Sequence, residues 1–245
     1  MNDFSPRNVL VTGAHQGIGA ATAHVLATNG LRVACADIIV PDATVAGLVE
    51  HSKGHVSLAC DVSDETSVVG MFADLDKKIG SIDAVVHCAG VIAERPLLET
   101  SVEEFDRVIA INLRGSFLVG REALRRMEGR EGRVVLTSSD LGVSGRETFS
   151  PYVASKHGVM GLVRSWAKEF APRILVNALC PGPIDTDMLG AKNMTPEWRA
   201  RELDIPLARF GRPDEVAHMA AFLIGPYAGF ITGQGIGING GSAMP

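Results

Sequence analysis

A phenol and an ammonium group stand four residues apart in Tyr152-Val153-Ala154-Ser155-Lys156. At a helix start, that spacing puts both side chains on one face. A tyrosine with its ordinary pKa of about 10 is a poor base at neutral pH. Bringing it near 7 takes about three units, or ~4 kcal/mol, of preferential stabilisation of the phenolate. Lys156 could supply part of that, with a second positive charge supplying the rest. The YxxxK spacing alone arises by chance in many helices, so its companions decide its meaning.

The first companion is a glycine-rich turn, Thr12-Gly13-Ala14-His15-Gln16-Gly17-Ile18-Gly19, between a short apolar run and the helical Ala20–Leu26. Gly13 permits a tight bend, Gly17 removes a Cβ that would block a pyrophosphate, and Gly19 allows close helix–strand packing. Free N–H groups at the helix start, with the helix dipole, then face an anion. Asp37 closes the next strand, 18 residues beyond Gly19, near the ~20 expected of a carboxylate holding a ribose. It would accept hydrogen bonds from NAD and repel the 2′-phosphate of NADP, and neither Gln16 nor Ile38 offers the positive charge NADP would want. The plainer reading is an Asp that caps the following turn. With NAD bound, the oxidised nicotinamide would be the second positive charge beside the phenol. Gly13, Gln16, Gly17, Ile18, Gly19 and Asp37 are thus cofactor-binding candidates.

These groups need a scaffold, and the chain spells one out. Asn8–Val11, Arg32–Ala36, His55–Cys60, Ala84–His87, Arg133–Thr137, Leu175–Leu179 and Gly235–Ile238 read as seven strands. Most are continuous apolar runs, as expected of strands covered on both faces. Helical stretches lie between them, which implies a parallel sheet with helices on both sides. Ser101 with Glu104 forms a capping box opening a long helix toward Met127. Pro151 and Pro213 sit at helix starts, and Pro172 closes the first of those helices. The longest irregular stretch runs from Gly182 to about Pro206, with Thr195-Pro196-Glu197 starting a short helix.

The TGxxxGxG turn, the YxxxK about 140 residues later and a serine-bearing strand end between them resemble the short-chain dehydrogenase/reductase family over essentially the whole chain. The resemblance implies an α/β fold: a single doubly wound Rossmann domain over 1–245. It would hold a seven-stranded parallel sheet in the order 3-2-1-4-5-6-7, helices on both faces, and a substrate lid at about 182–206. Tyr152 would be the general acid/base. Lys156 would depress its pKa and hydrogen-bond the nicotinamide ribose. Ser139 would orient the substrate oxygen, with Ser138 taking the role if the correspondence is shifted by one. Asn112 would hold the water of a proton relay. Asp61 and Val62 correspond to the adenine pocket, and Pro181 and Gly182 to the strand end at the cofactor. Ile184 and Thr186 would contact the nicotinamide carboxamide.

One motif departs: His87-Cys88-Ala89-Gly90 stands where the family usually has Asn-Asn-Ala-Gly. Ala89 and Gly90, where backbone meets the cofactor ribose, are kept. Cys88 reads as a packing thiol, with redox sensitivity the alternative. Gly211–Val216 and Ile231–Gln234 also look like family signatures, and the final strand with Gly240-Gly241 implies a homotetramer.

Composition narrows the functions further. At 245 residues, 46% hydrophobic and 21% charged, the chain can bury a sizeable core. A net charge of −5 gives no general attraction to nucleic acid or anionic membrane. Arg125, Arg126 and Arg130 read as a solvated helix end. Cys35, Cys60, Cys88 and Cys180 have no metal-ligand spacing, so no metal site is expected. Reduced thiols, no membrane span, and an N-terminus carrying Asp3 and Arg7 without a signal-peptide pattern point to the cytoplasm. His15 reads as a turn residue, and Trp166 and Phe170 as core or subunit interface.

The expected activity is an NAD-dependent exchange of hydride with a secondary alcohol or ketone. A 3-oxoacyl thioester reductase is the alternative, and a non-enzymatic NAD(H)-binding regulator the distant one. Asp140, Glu94 and Arg95 suggest a substrate with hydroxyls or a charge, against Leu141, Val143, Phe149, Met188 and Trp198, which could line an apolar pocket.

Overall fold

A computed structural model describes residues 4–48 and 54–244; Asp3 lies outside them. Seven parallel strands form one sheet: β1 Asn8–Thr12, β2 Arg32–Asp37, β3 Val56–Ala59, β4 Ala84–His87, β5 Gly132–Thr137, β6 Ile174–Pro181 and β7 Gly235–Ile238. Their order is β3-β2-β1-β4-β5-β6-β7, as expected. The boundaries differ at several ends. β3 loses His55 and Cys60, while β5 begins one residue earlier and β6 runs on to Pro181 because its register with β7 continues to Ile238.

Burial explains the apolar runs. β4, β5 and β6 are buried along their whole length, because helices cover both faces. The edge strand β7 is only half covered. The helices are α1 Gly17–Thr28, α2 Asp42–Ala46, α3 Glu65–Ile79, α4 Val102–Val108, α5 Gly115–Met127, α6 Leu141–Ser144, α7 Ser150–Phe170, α8 Pro196–Glu202 and α9 Pro213–Ile224. Phe72, Leu75, Leu118 and Val163 pack one face of the sheet, and Val11, Leu26, Leu223 and Ile224 the other.

Local chemistry sets the helix ends. The Asp64 side chain accepts from Thr66 and Ser67 N–H at 3.1 and 3.2 Å, starting α3. Gly80 ends it with φ at 78°. At Ser101 only half the expected box forms. Ser101 Oγ accepts from Glu104 N–H at 3.2 Å, while the Glu104 carboxylate pairs with Arg95 at 2.7 Å.

The long helix toward Met127 is interrupted. A π-helical stretch, Ile109–Arg114, separates α4 from α5. The Ser116 hydroxyl donates to the Asn112 carbonyl at 2.6 Å within it, and such widened turns commonly mark functional sites. Arg125, Arg126 and Arg130 are not merely solvated. Arg125 and Arg126 pair with the buried Glu122 at 2.7 and 2.8 Å. Arg130 donates to the carbonyls of Ile82 and Arg126 at 3.0 and 2.9 Å.

The strand order reverses between β2-β1 and β4-β5, so the connections leave β1 and β4 toward opposite faces. The crevice this opens at the carboxyl ends of the strands is where ligands bind in such sheets. Phe72 is wholly buried in the supporting core. Phe72→Ala is expected to cost about 3–5 kcal/mol in urea unfolding, without moving the site's residues.

Candidate active site

The glycine turn is built by contact as much as by conformation. A Cβ on Gly13, whose φ is +67°, would lie 2.6 Å from the Ala89 nitrogen. One on Gly19 would lie 2.0 Å from the Gly13 carbonyl oxygen. Gly17 faces open space, with only the Thr186 side chain as near as 3.4 Å. Gln16 stands at the N-cap of α1 and supplies no side-chain cap, so N–H groups of the first turn are available to an anion.

Asp37 serves both readings at once. One oxygen accepts from Ile39 N–H at 3.3 Å, capping the turn, and the other accepts from His15 N–H at 3.0 Å. A carboxylate has about four acceptor positions, so some remain for ribose hydroxyls. Asp37, Asp61, Val62, Ala89, Gly90, Pro181, Gly182, Ile184 and Thr186 share one cleft of about 600 Å³ with the turn and with Ser139, Tyr152 and Lys156. A dinucleotide fits these residues: an uncapped helix start for the diphosphate, a carboxylate for the ribose, and small residues where backbone must approach.

Tyr152 and Lys156 lie near the start of α7, 8% and 5% exposed. The Lys156 ammonium donates to the Thr137 carbonyl at 2.8 Å and lies 5.6 Å from the Tyr152 ring centre. Burial pulls its pKa down to about 8. Burial pushes the Tyr152 phenol up to about 12, with the Ser139 hydroxyl lowering it and the Asp140 carboxylate raising it. The protein alone therefore holds Tyr152 protonated, and the lowering expected from Lys156 needs the second positive charge.

The structure separates the two serines. Ser139 stands in hydrogen-bonding reach of Tyr152, while the Ser138 hydroxyl donates to the Lys156 carbonyl at 2.8 Å. Asn112, fully buried on the π-helical turn, is clamped to Val91. Its Oδ1 accepts from Val91 N–H at 2.8 Å, and its Nδ2 donates to the Val91 carbonyl at 2.9 Å and to Ser155 Oγ at 3.0 Å. A Cβ on Gly90 would meet Asn112 Oδ1 at 3.2 Å and Lys156 Nζ at 3.4 Å.

In the departing motif, His87 Nδ1 hydrogen-bonds Thr12 Oγ1 at 2.7 Å, and burial lowers its pKa to about 3, leaving it neutral. Burial raises the Cys88 thiol to about 11, which suits packing rather than reactivity.

At the far end of the cleft the expected charges redistribute. Asp140 is 6% exposed and lies beneath Ser139 instead of at the mouth. Arg95 is drawn away to Glu104, and Val143 lines a different hollow. Glu94 lines the cleft as expected, as do Leu141, Phe149, Met188 and Trp198. Sequence reasoning missed Arg146 and Glu202, an ion pair at 2.6 Å whose guanidinium lies 4.8 Å from the Trp198 ring centre. No local spacing signals a pair joining the α6–α7 turn to α8. Cβ atoms on Gly240 and Gly241 would strike Ile205 and Pro206 at 2.9 and 2.7 Å, so the loop after β7 packs closely on the segment that follows α8.

The chain is similar to known proteins over nearly its whole length. A family model described as enoyl-(acyl carrier protein) reductase matches residues 13–243. A short-chain dehydrogenase/reductase from Armillaria gallica is 36% identical, over 96% of this chain and 95% of its own. A 3-oxoacyl-(acyl-carrier-protein) reductase from Thermotoga maritima is 38% identical, over 95% and 96%. The structure of an actinorhodin polyketide ketoreductase with NADPH superposes with a TM-score of 0.90 at 32% identity, covering 96% of both chains.

Gly19→Ala forces a methyl against backbone that cannot yield. It is expected to weaken NADH binding at least tenfold by fluorescence titration, and a variant binding as tightly as the parent would contradict the turn's role.

Proposed function

Since the chain belongs to the short-chain dehydrogenase/reductase family, we propose that it is an NAD-dependent dehydrogenase for the secondary alcohol, or ketone, of a small polar substrate. That it is an oxidoreductase acting on CH–OH and C=O groups follows from the family. Asp37 carries the cofactor reading. A carboxylate closes β2 at the adenosine end, and the residues beside it in the cleft, Ile38 and Ile39, carry no charge. A 2′-phosphate there would meet repulsion without a compensating cation.

NAD bound in the cleft would supply the hydride acceptor. Gly13, Gln16, Gly17, Ile18 and Gly19 would hold its diphosphate, Asp37 its ribose, and Asp61 and Val62 its adenine. Ala89, Gly90, Pro181 and Gly182 would flank the nicotinamide half, with Ile184 and Thr186 at the carboxamide. Tyr152 would take the proton from the substrate hydroxyl, or return it to the carbonyl oxygen. Lys156 would hold the nicotinamide ribose and favour the phenolate, Ser139 would place the reacting oxygen, and Asn112 would hold a water behind Lys156.

Glu94 and the Arg146–Glu202 pair favour a substrate with hydroxyls, which can donate to carboxylates and accept from a guanidinium. The likeness to 3-oxoacyl-(acyl-carrier-protein) reductases favours a second reading, reduction of a 3-oxoacyl thioester, with Phe149, Met188 and Trp198 against the acyl chain. In either case we read residues 1–245 as one Rossmann domain, with 182–206 as the lid.

The four free thiols, Cys35, Cys60, Cys88 and Cys180, suit the reducing cytoplasm we propose for the protein; separately, no helix among the described residues is long and apolar enough to cross a membrane. The half-covered β7 and the exposed Phe222, Tyr227 and Phe230 beside it support a homotetramer, for which light scattering should return four chain masses. A monomer would sink that part.

The activity test is a panel of polyols, hydroxy acids, simple secondary alcohols and 3-hydroxyacyl thioesters with NAD or NADP, read at the reduced-nicotinamide absorbance. NAD-linked turnover of a polyol or hydroxy acid is expected, and Tyr152→Phe should lower it about 10²–10⁴-fold. Turnover with NADP alone would refute the Asp37 argument, and preference for the thioester would establish the second reading.

A further inference from the structure

Asp140 is a carboxylate enclosed by donors of the protein itself. Its Oδ1 accepts from the Ser139 hydroxyl at 3.0 Å and from Leu141 N–H at 2.7 Å, and its Oδ2 accepts from the Ser242 hydroxyl. Ser242 belongs to the loop after β7, where Asn239 Oδ1 accepts from Gly241 N–H at 3.0 Å. Asp140 also forms part of two cavities at once. It lines the active-site cleft and a second hollow of about 580 Å³ between α7 and β7.

The consequence falls on Ser139. A serine hydroxyl has one proton to donate and two lone pairs to accept with. The Ser139 proton goes to Asp140, and one lone pair takes Leu141 N–H at 3.1 Å. What remains for the phenol is a single acceptor position. With its proton on Asp140, the Ser139 hydroxyl gives a phenolate less than a free hydroxyl would, so its lowering of the Tyr152 pKa is blunted.

We infer that Asp140 is a positioning residue of this active site. By taking the Ser139 proton and setting a carboxylate behind it, Asp140 keeps Tyr152 a neutral phenol until a positive charge enters the cleft. The inference deepens the proposed function and rests on Tyr152 being its acid/base. Electrostatics point the same way, since the Asp140 charge opposes ionisation of Tyr152. The other charged or titratable groups facing the pair are Lys156, Arg164 and Lys168 on α7, Arg146 from the α6–α7 turn, Glu202 on α8 and Glu94 after β4, with Cys88 and Cys180 at the strand ends. Burial raises the Asp140 pKa, the donors Ser242, Ser139 and Leu141 N–H lower it, and the Glu202 charge raises it further.

The chain has two tyrosines, and the other, Tyr227, is 86% exposed. A Tyr227→Phe protein labelled with 3-fluorotyrosine therefore reports Tyr152 alone by ¹⁹F NMR, and the more acidic fluorophenol titrates within the folded range. Asp140→Asn in that background should lower the midpoint by about one pH unit, with NADH affinity within about threefold of the parent. Ser242→Ala, which leaves the charge in place, should not lower it.

A midpoint unchanged or raised in Asp140→Asn would overturn the inference, as would an equal fall in Ser242→Ala, because packing and not charge would then set it. Asp140→Ala serves as the second variant, with the same downward shift expected. Failure of both to fold would make Asp140 a structural residue and also overturn it. The titration needs no substrate, so a fall in midpoint in a protein inactive on the panel would support the inference while counting against the proposed substrates.

Discussion

Backbone at the end of β1 approaches other backbone more closely than any side chain would permit, and the site depends on that approach. The Gly13 Cα lies against the Cys88–Ala89 peptide, and Gly19 lies against the Gly13 carbonyl. The first contact fixes how closely the β4 loop approaches the turn. The second seats the start of α1 over the end of β1. Because β1 sits beside the reversal in strand order, the uncapped N–H groups of α1 face the crevice and not the core. A methyl at either glycine would separate these elements and with them the two ends of the cleft.

Burial then decides the protonation states. Tyr152 and Lys156 are each displaced toward the neutral form, the first upward and the second downward. The same desolvation that makes a charge costly makes an entering charge effective, since fewer water dipoles screen it. Tyr152 thus rests as a neutral phenol beside a Lys156 still largely protonated at neutral pH, and an entering cation favours the phenolate. Asp140, whose pKa burial raises and hydrogen-bond donors lower, sits where its charge can bias that ionisation through Ser139.

The substrate end follows a different rule. Arg146 and Glu202 have side chains 14% and 9% exposed, and Arg146 lies between Phe149 and Trp198. An ion pair so enclosed contributes geometry more than net stability. It joins the α6–α7 turn to α8, so the walls of the cleft move with the segment that carries Trp198.

How much was legible in the sequence follows from the range of each interaction. The glycine turn, the acid closing β2 and the Tyr–Lys pair are local. Their geometry is set by backbone conformation over a few residues and by helix periodicity, so sequence alone determined them, together with the parallel sheet through the alternation of apolar runs; the strand order followed from the family resemblance. The tertiary structure decided the rest. Ser139 is distinguished from Ser138 by the pairing of β5 with β6, because adjacent residues at a strand end face opposite ways. Asn112 owes its place to a π-helical turn that the local sequence read as continuous helix, and the Val91 backbone holds it there. Gly240 and Gly241 pack within the chain against Ile205 and Pro206, a contact across more than 30 residues that the local sequence does not announce. Asp140 was read as a charge at the pocket mouth because its partner Ser242 lies 102 residues away, and a contact at that separation leaves no periodic trace in a single sequence.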